Sequence, residues 1–245
     1  MAHCTAILGA GPGLGTALAR QYGREGHAVA LVARRAGPLA ALAARLTEEG
    51  ITATAFPADL RDPEEVASVL AAIEALHGAI GTLYYGPSLP ETFIPAFSLS
   101  VATVKEKMEL FLYGLIAAVG AVLPGMRARG RGSILAGLGG SAAVGLPFMS
   151  GPGPALAAAR NYLHALHGEL APEGIHVGML TLSAVIRGSG WQEGMASGAI
   201  RIDLPPGFTI PEVDPEALAT MLRQWAETRA AAELIYPPPP QRSTD

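Results

Sequence analysis

Cysteine and charge are both scarce in this sequence of 245 residues, and each scarcity excludes a class of protein. Cys4 is the only cysteine, so no disulfide can form within the chain and no cysteine-based metal site can be built. Lys and Arg number 17 against 21 Asp and Glu, and the basic residues form no long cluster. The sequence therefore predicts no nucleic-acid partner and no metal site.

Signals for export or for membrane insertion are also missing. The N-terminus shows no basic segment followed by an apolar stretch and a cleavage site, so we expect no signal peptide. The longest apolar run, 110–124, is shorter than the roughly 20 residues that span a bilayer, and it contains glycine. We interpret this run as a buried helix, and we expect a cytoplasmic protein with no membrane partner.

Apolar residues, in contrast, are abundant: 50% of the chain is hydrophobic, which is enough for one large core. Short apolar runs alternate with segments of helical spacing. The predicted strands are 4–10, 28–34, 51–60, 81–86, 132–138, 174–182 and 233–237, and the predicted helices are 14–26, 37–50, 62–78, 101–129, 153–171 and 214–229. This alternation predicts an α/β fold, a Rossmann-like doubly wound parallel sheet of about seven strands with helices on both faces.

The fold is predicted to form one domain, 1–236, followed by a flexible proline-rich tail, 237–245. Glycines and prolines interrupt scattered apolar residues between 187 and 214, with Trp191, Met195 and Phe208 among them. We interpret this segment as an apolar lid, which favours a small hydrophobic substrate.

Glycines at the end of the first predicted strand are spaced for a dinucleotide. Gly9, Gly13 and Gly15 permit a tight turn, close approach of a pyrophosphate and close packing of helix on strand. The phosphates would lie at the N-terminus of the following helix, beside Leu14. Gly86, after the fourth strand, is assigned to the same cofactor site.

The end of the second strand predicts which cofactor is bound. Ala33 stands where an acid would bind the ribose of NAD, and Arg34 and Arg35 follow it. Guanidinium groups suit a 2′-phosphate, so the sequence favours NADP(H) over NAD(H), although two solvated surface arginines are the alternative. Asp59, with Leu60 beside it, is placed to bind the adenine; a loop or cap aspartate is the alternative.

Several segments give the chain a resemblance that extends over nearly its whole length. With "GAGPGLG", "LVARR", "ADLRD", "GLIAAVGAVLPGM" and "ELAPEGIHVG", the chain resembles the short-chain dehydrogenase/reductase family. The resemblance implies a Rossmann-like domain and NADPH-dependent reduction of a carbonyl or oxidation of an alcohol. It also implies a homodimer or homotetramer built on the long helices.

The resemblance fails at the family's catalytic positions. The family uses a serine, a tyrosine with a lysine four residues later, and an asparagine in the long helix. The serine position falls within 139–141, which includes Ser141, but Pro152, Leu156 and Phe111 occupy the other three positions. A shift by one helical turn would align Arg160 with the lysine and would still supply no tyrosine.

Other residues are candidates to replace the missing proton donor. Tyr85, at the end of the fourth strand, is our candidate acid, with a core aromatic residue as the alternative. Ser141 is expected to orient the substrate. Tyr84, Trp191 and Arg187 are candidate substrate contacts, although Arg187 is also typical of a surface arginine.

Three functions follow from these observations. The first is an NADPH-dependent oxidoreductase with a non-standard proton donor, because the loss of a positioned acid costs roughly 100- to 10,000-fold unless another group replaces it. The second is a non-redox enzyme on the same scaffold, such as a cyclase, isomerase or dehydratase. The third is an inactive NADPH-binding partner of another enzyme.

Overall fold

A seven-stranded parallel sheet forms the centre of the computed structural model, which describes residues 4–89, 94–147, 150–200, 209–229 and 231–238. The strands along the sheet are, in spatial order, β3 (Ala53–Pro57), β2 (Ala28–Ala33), β1 (Cys4–Leu8), β4 (Ile80–Tyr85), β5 (Gly132–Gly139), β6 (Ile175–Leu182) and β9 (Glu233–Tyr236). The predicted seven strands and their parallel direction are confirmed. Strand order reverses between β1 and β4, which is where ligands of doubly wound sheets bind.

Helices cover both faces of this sheet, as predicted. The helices are α1 (Leu14–Arg24), α2 (Ala36–Glu48), α3 (Pro63–His77), α4 (Val101–Met108), α5 (Gly114–Arg129), α6 (Gly153–Leu170), α7 (Gly190–Ala196) and α8 (Pro215–Thr228). One apolar core lies under α3, α5 and α6, and a second lies under α1, α2 and α8. Successive side chains along each strand point alternately into one core and the other, because side chains alternate between the faces of a sheet.

Two helices begin with an aspartate that caps their first turn. Asp62 caps α3 by accepting hydrogen bonds from the backbone N–H groups of Glu64 (2.8 Å) and Glu65 (3.3 Å). Asp214 caps α8 in the same way. Each aspartate is followed by a proline in the first turn, where the missing N–H costs no hydrogen bond.

The helix predicted over 101–129 contains a feature that the sequence did not reveal. A π-helical turn, Glu109–Tyr113, joins α4 to α5. The predicted bounds 101–129 are those of the whole helical stretch, which by length and composition could cross a membrane, so the run 110–124 lies within a helix that is long enough to span one. One side of that helix packs in the core through residues that include Leu115, Val119 and Met126.

The segment predicted as a lid contains two of the smaller elements. A separate pair of short parallel strands, β7 (Val185–Ile186) and β8 (Glu212–Val213), brackets it, and α7 lies between them. Ser189 starts α7 by accepting a hydrogen bond from the N–H of Gln192 at 3.2 Å. Phe208 and most of the predicted tail lie outside the described residues.

Candidate cofactor and substrate site

The loop between β1 and α1 carries the three glycines predicted to hold a dinucleotide. Gly9 has a φ of 90°, and a Cβ there would lie 2.5 Å from the backbone nitrogen of Pro87. Gly13 has a φ of 91°, and a Cβ on Gly15 would lie 3.2 Å from the Cα of Ala10. Two positions therefore need a backbone conformation that other residues avoid, and Gly15 lets α1 pack closely on β1. The turn that this motif requires is present.

The N-terminus of α1 opens into the same loop without a capping side chain. Leu14 turns its side chain into the core, where it is 6% exposed, and Thr16 donates from its hydroxyl to the loop carbonyl of Gly11 at 2.8 Å. The first N–H groups of a helix have no partner within it, and the helix dipole favours an anion there. If Gly13 carried a Cβ, that atom would lie 3.2 Å from Ile186 and 3.2 Å from Ser189. These two residues therefore form the opposite wall. The residues present thus fit a pyrophosphate.

Two arginines face solvent at the end of β2. Arg34 and Arg35 are both exposed, and neither forms a salt bridge with any residue that the structure describes. Ala33 precedes them and supplies no carboxylate. The sequence predicted two guanidinium groups for a 2′-phosphate and no acid at position 33. This arrangement is present.

Asp59 follows β3 and is already engaged by a neighbour that the sequence analysis missed. Arg61 donates to its carboxylate from Nε at 3.1 Å and from Nη2 at 2.6 Å. This hydrogen bonding by Arg61, with a smaller contribution from Arg34, holds the pKa of Asp59 below its usual range. Leu60 is buried, and its carbonyl meets Gly114 of α5, where a Cβ would collide with it. The pattern D-x-R was the signal for this ion pair.

A turn of 3₁₀ helix, Gly140–Ala142, follows β5 and carries Ser141. This half-buried serine packs against the start of α6, with its Cβ 3.6 Å from a Cβ built on Gly153. Ser183, after β6, places its Oγ against Gly140, where a Cβ would collide with it. Neither hydroxyl has a hydrogen-bond partner within the described part of the chain. In the pairing of β5 with β6, Gly139 lies beside Leu182. Ser183 is the next residue, so this pairing could have indicated that Ser183 neighbours the site.

Comparisons with known proteins agree with this geometry. A family model described as "short chain dehydrogenase" matches residues 3–188. The chain belongs to the short-chain dehydrogenase family. An alcohol dehydrogenase from Thermococcus sibiricus, solved in complex with 5-hydroxy-NADP, superposes with a TM-score of 0.79 at 23% identity and covers 96% of each chain.

Two curated relatives are similar over part of their length. A fatty acyl-CoA reductase of Mycobacterium tuberculosis is 33% identical over 130 residues, which is 53% of this chain and 44% of that protein. An NADP-dependent 3-hydroxy acid dehydrogenase of Salmonella typhi is 33% identical over 129 residues, 53% of this chain and 51% of its own length. The chain thus spans about half the length of these relatives.

The positions at which the sequence analysis expected the family's tyrosine, lysine and asparagine all carry apolar side chains. Pro152 is the buried N-cap residue of α6. Leu156, one turn later, is 5% exposed and lies 3.5 Å from a Cβ built on Gly139. Phe111, at the asparagine position, is buried in the core within the π-helical turn. None of these three side chains can donate or accept a proton.

Tyr85 does not replace the missing acid, which corrects the expectation from sequence. Its side chain is buried in the core under α3, α5 and α6, and its hydroxyl donates to the carbonyl of Leu110 at 2.5 Å. Burial raises the pKa of this hydroxyl, with a smaller contribution from Asp59. This hydrogen bond joins the end of β4 to the π-helical turn. The core alternative is therefore the correct one.

Tyr84 is also a core residue rather than a substrate contact. It is 4% exposed and packs in the opposite core, under α1, α2 and α8. Its hydroxyl lies over Gly86 and Gly137, and a Cβ on either glycine would collide with it. Gly86 therefore leaves space for Tyr84, which is a sufficient structural reason for a glycine at that position.

Arg160 is held away from the catalytic positions by an ion-pair network. It donates to both carboxylate oxygens of Glu233, at 2.8 and 2.6 Å, and Thr181 donates to one of them at 2.5 Å. His164 lies 3.3 Å from the same carboxylate. These bonds, Arg160 foremost, lower the pKa of Glu233 to about 2. The network fastens β9 to α6, so Arg160 does not stand in for the family's lysine.

Arg187 is engaged in a surface ion pair rather than directed at a substrate. Its Nη2 lies 3.0 Å from Oδ2 of Asp214, the residue that caps α8, and half of each side chain is exposed. The surface alternative from the sequence is therefore supported. Trp191 and Met195 lie on α7 and are half-buried.

Proposed function

We propose that this dehydrogenase binds NADP(H) and transfers a hydride between it and a small hydrophobic carbonyl or alcohol. The observation that carries the choice of cofactor lies at the end of β2: after Ala33, Arg34 and Arg35 are exposed and form no salt bridge with any residue in the described ranges. A relative is named as NADP-dependent, and a solved structure of the same fold contains an NADP derivative, which supports the proposal.

Each residue of the cofactor site has a distinct role in this proposal. The backbone around Gly9 and Gly13 binds the pyrophosphate at the N-terminus of α1. Arg34 binds the 2′-phosphate through its planar guanidinium. Asp59, fixed by Arg61, accepts from the adenine amine through a remaining carboxylate lone pair. The bound nicotinamide supplies or accepts the hydride.

The substrate is proposed to lie between the two free serine hydroxyls and the apolar wall. Ser141 and Ser183 donate hydrogen bonds to the carbonyl oxygen and hold it in place. Leu156 below and Trp191 on α7 contact the hydrophobic remainder. The proton that completes the alcohol comes from water hydrogen-bonded to Ser141. Such a site is slower than one with a positioned tyrosine, by up to about 100- to 10,000-fold, unless the substrate needs little proton assistance.

Calorimetric titration with NADPH and NADH tests the cofactor assignment. The double variant Arg34→Ala/Arg35→Ala is expected to lose at least about 10- to 100-fold in NADPH affinity, because even one hydrogen bond to the charged 2′-phosphate is worth about 1.5–3 kcal/mol. Its NADH affinity should stay the same. Arg45→Ala, which removes an exposed arginine from α2, is the matched control and should bind NADPH as the wild type does. Equal NADPH binding by the double variant would refute the assignment.

A second candidate function rests on the apolar catalytic positions. Pro152 and Leu156 suit a non-redox enzyme or an inactive NADPH-binding partner as well as they suit an altered reductase. Loss of NADPH absorbance upon addition of hydrophobic aldehydes or ketones supports the oxidoreductase. Conversion of a substrate at constant NADPH absorbance indicates non-redox chemistry on this scaffold.

We also propose that the protein assembles as a homodimer or homotetramer through the long helix. The apolar stretch 101–129 leaves hydrophobic side chains on its outer side, with Tyr113 47% and Ile116 43% exposed. A second copy of the same helix would cover them and bury more apolar surface. The assembly is proposed to act in the cytoplasm.

A further inference from the structure

A second cavity lies at the edge of the sheet opposite the glycine loop. It has a volume of about 490 Å³, in the range of small-molecule sites. Thr82 of β4 and Ser133 of β5 are register partners near the amino ends of their strands and form its floor. The complete lining is Tyr22, His27, Thr82, Ser133, Arg223, Ala226, Glu227 and Arg229. The cofactor cleft opens at the carboxyl ends, so the two sites are separate.

The floor of this cavity is polar, although it belongs to central strands of the sheet. Thr5 of β1, fully buried beside it, hydrogen-bonds His27 at 2.8 Å. Thr82 is 8% exposed. The hydroxyl of Ser133 has no hydrogen-bond partner among the residues the structure describes. A buried or half-buried hydroxyl is normally hydrogen-bonded, so this floor is suited to a polar ligand.

Arg223 forms a rigid side wall of the cavity. Its guanidinium lies 5.3 Å from the centroid of the Tyr22 ring. Glu25 and Glu227 pair with it at 2.8 and 2.9 Å. These two carboxylates already neutralise Arg223, so this side chain shapes the cavity and attracts little further negative charge.

Arg229 supplies the uncompensated positive charge. It ends α8 with a φ of 51°, and no other non-glycine residue in the described part of the chain has a positive φ. Its Nη1 donates to the carbonyl of Gly174 at 2.9 Å, and no carboxylate within the described residues pairs with it. Glycine is the usual residue in this conformation, so a residue with a Cβ is disfavoured here. Strained residues of this kind cluster at functional sites, where the surroundings hold them in place.

We propose that this cavity binds a small oxyanion, a carboxylate or a phosphate. The guanidinium of Arg229 balances the negative charge, and the hydroxyl of Ser133 donates to one of its oxygens. The volume admits an anion with several carbon atoms, and the polar floor favours one that also carries hydroxyl groups. The site is independent of the cofactor cleft, so its failure would leave the proposed dehydrogenase function untouched.

The test compares Arg229→Gly with wild type by calorimetry, with inorganic phosphate and with lactate as separate titrants and chloride as the control for ionic strength. Glycine accepts the backbone conformation of this position, so the variant should fold at least as well as wild type. We expect an affinity for at least one oxyanion in wild type and a loss of about 10- to 100-fold in Arg229→Gly, since one charged donor is removed.

Further variants make the outcome decisive. Arg229→Lys retains the charge and should keep part of the affinity, and Ser133→Ala should weaken it. The oxyanion should also raise the melting temperature of wild type but not of Arg229→Gly, because a ligand stabilises only the state that binds it. NADPH binding should be equal in both proteins. Absence of oxyanion binding in wild type at millimolar concentration, or equal binding by Arg229→Gly, would overturn the proposal.

Discussion

A buried histidine provides the sharpest prediction for folding stability. His176 of β6 is 3% exposed, and its Nε2 has no hydrogen-bond partner within the described residues. It lies between aromatic neighbours, with the ring centroids of Trp225 at 5.4 Å and His167 at 6.0 Å. Burial, followed by repulsion from His167 and Arg229, lowers the pKa of His176 from 6.5 to about 4. The imidazole is therefore neutral in the folded protein at pH 7.

The lowered pKa of His176 sets the direction in which the free energy of unfolding changes with pH. Between pH 6.5 and about pH 4 the unfolded chain binds a proton at His176 that the folded chain does not. The free energy of unfolding therefore falls as the pH falls through that window. At about 1.4 kcal/mol per pH unit, the full loss from this one group is about 3 kcal/mol. Above pH 6.5 the histidine contributes no pH dependence.

Urea denaturation of wild type and His176→Leu, near pH 7 and near pH 4, measures this loss. The variant should be about as stable as wild type near pH 7, since an unpartnered polar atom is replaced by an apolar one. Near pH 4 it should be more stable by up to about 3 kcal/mol. His77→Leu, which removes a half-buried histidine from α3, controls for the general loss of a histidine. A constant difference between the two proteins at both pH values would refute the reasoning.

Three further predictions concern other parts of the molecule. Tyr85→Phe should lower the free energy of unfolding by about 1–3 kcal/mol in urea denaturation, because the carbonyl of Leu110 loses its donor. Any reductase activity should persist in this variant, whereas it would be lost if Tyr85 were catalytic. Gly13→Ala should weaken NADPH binding in calorimetry at least 10-fold, because a Cβ is disfavoured at that positive φ, while Gly11→Ala, where a Cβ meets open space, should bind normally. Ile116→Glu should shift the protein toward monomer in analytical ultracentrifugation, and an unchanged mass would contradict assembly through the long helix.

The order of strands and helices could be predicted because it depends on local periodicity. Alternating apolar runs of strand and helix length identified the parallel sheet and the glycine turn. The π-helical turn at 109–113 could not be predicted, because its apolar sequence also suits a regular helix. Its hydrogen bond joins Tyr85 to Leu110, and nothing in the sequence indicates that such distant residues pair.

The side chains of the candidate site were harder to place than its backbone. Strand periodicity implies that Tyr84 and Tyr85 face opposite cores, but it does not imply that both rings are buried. Arg160 was compatible with a role near the cofactor until the structure placed Glu233 beside it, a partner 73 residues away. Long-range ion pairs of this kind depend on the packing of β9 on β6, which local sequence does not specify.

The packing of Pro152 and Leu156 makes it difficult to introduce a tyrosine and a lysine at these two positions. Lysine in place of Leu156 would bring a charge into the apolar core to which Phe111 also belongs. Tyrosine in place of Pro152 would need room at a buried helix start that opens on two Gly-Pro pairs. Each single reversion therefore costs stability before any proton transfer is gained. An engineer who wants an ordinary reductase from this scaffold must rebuild the start of α6 as a unit, or exploit the chemistry that the altered site allows.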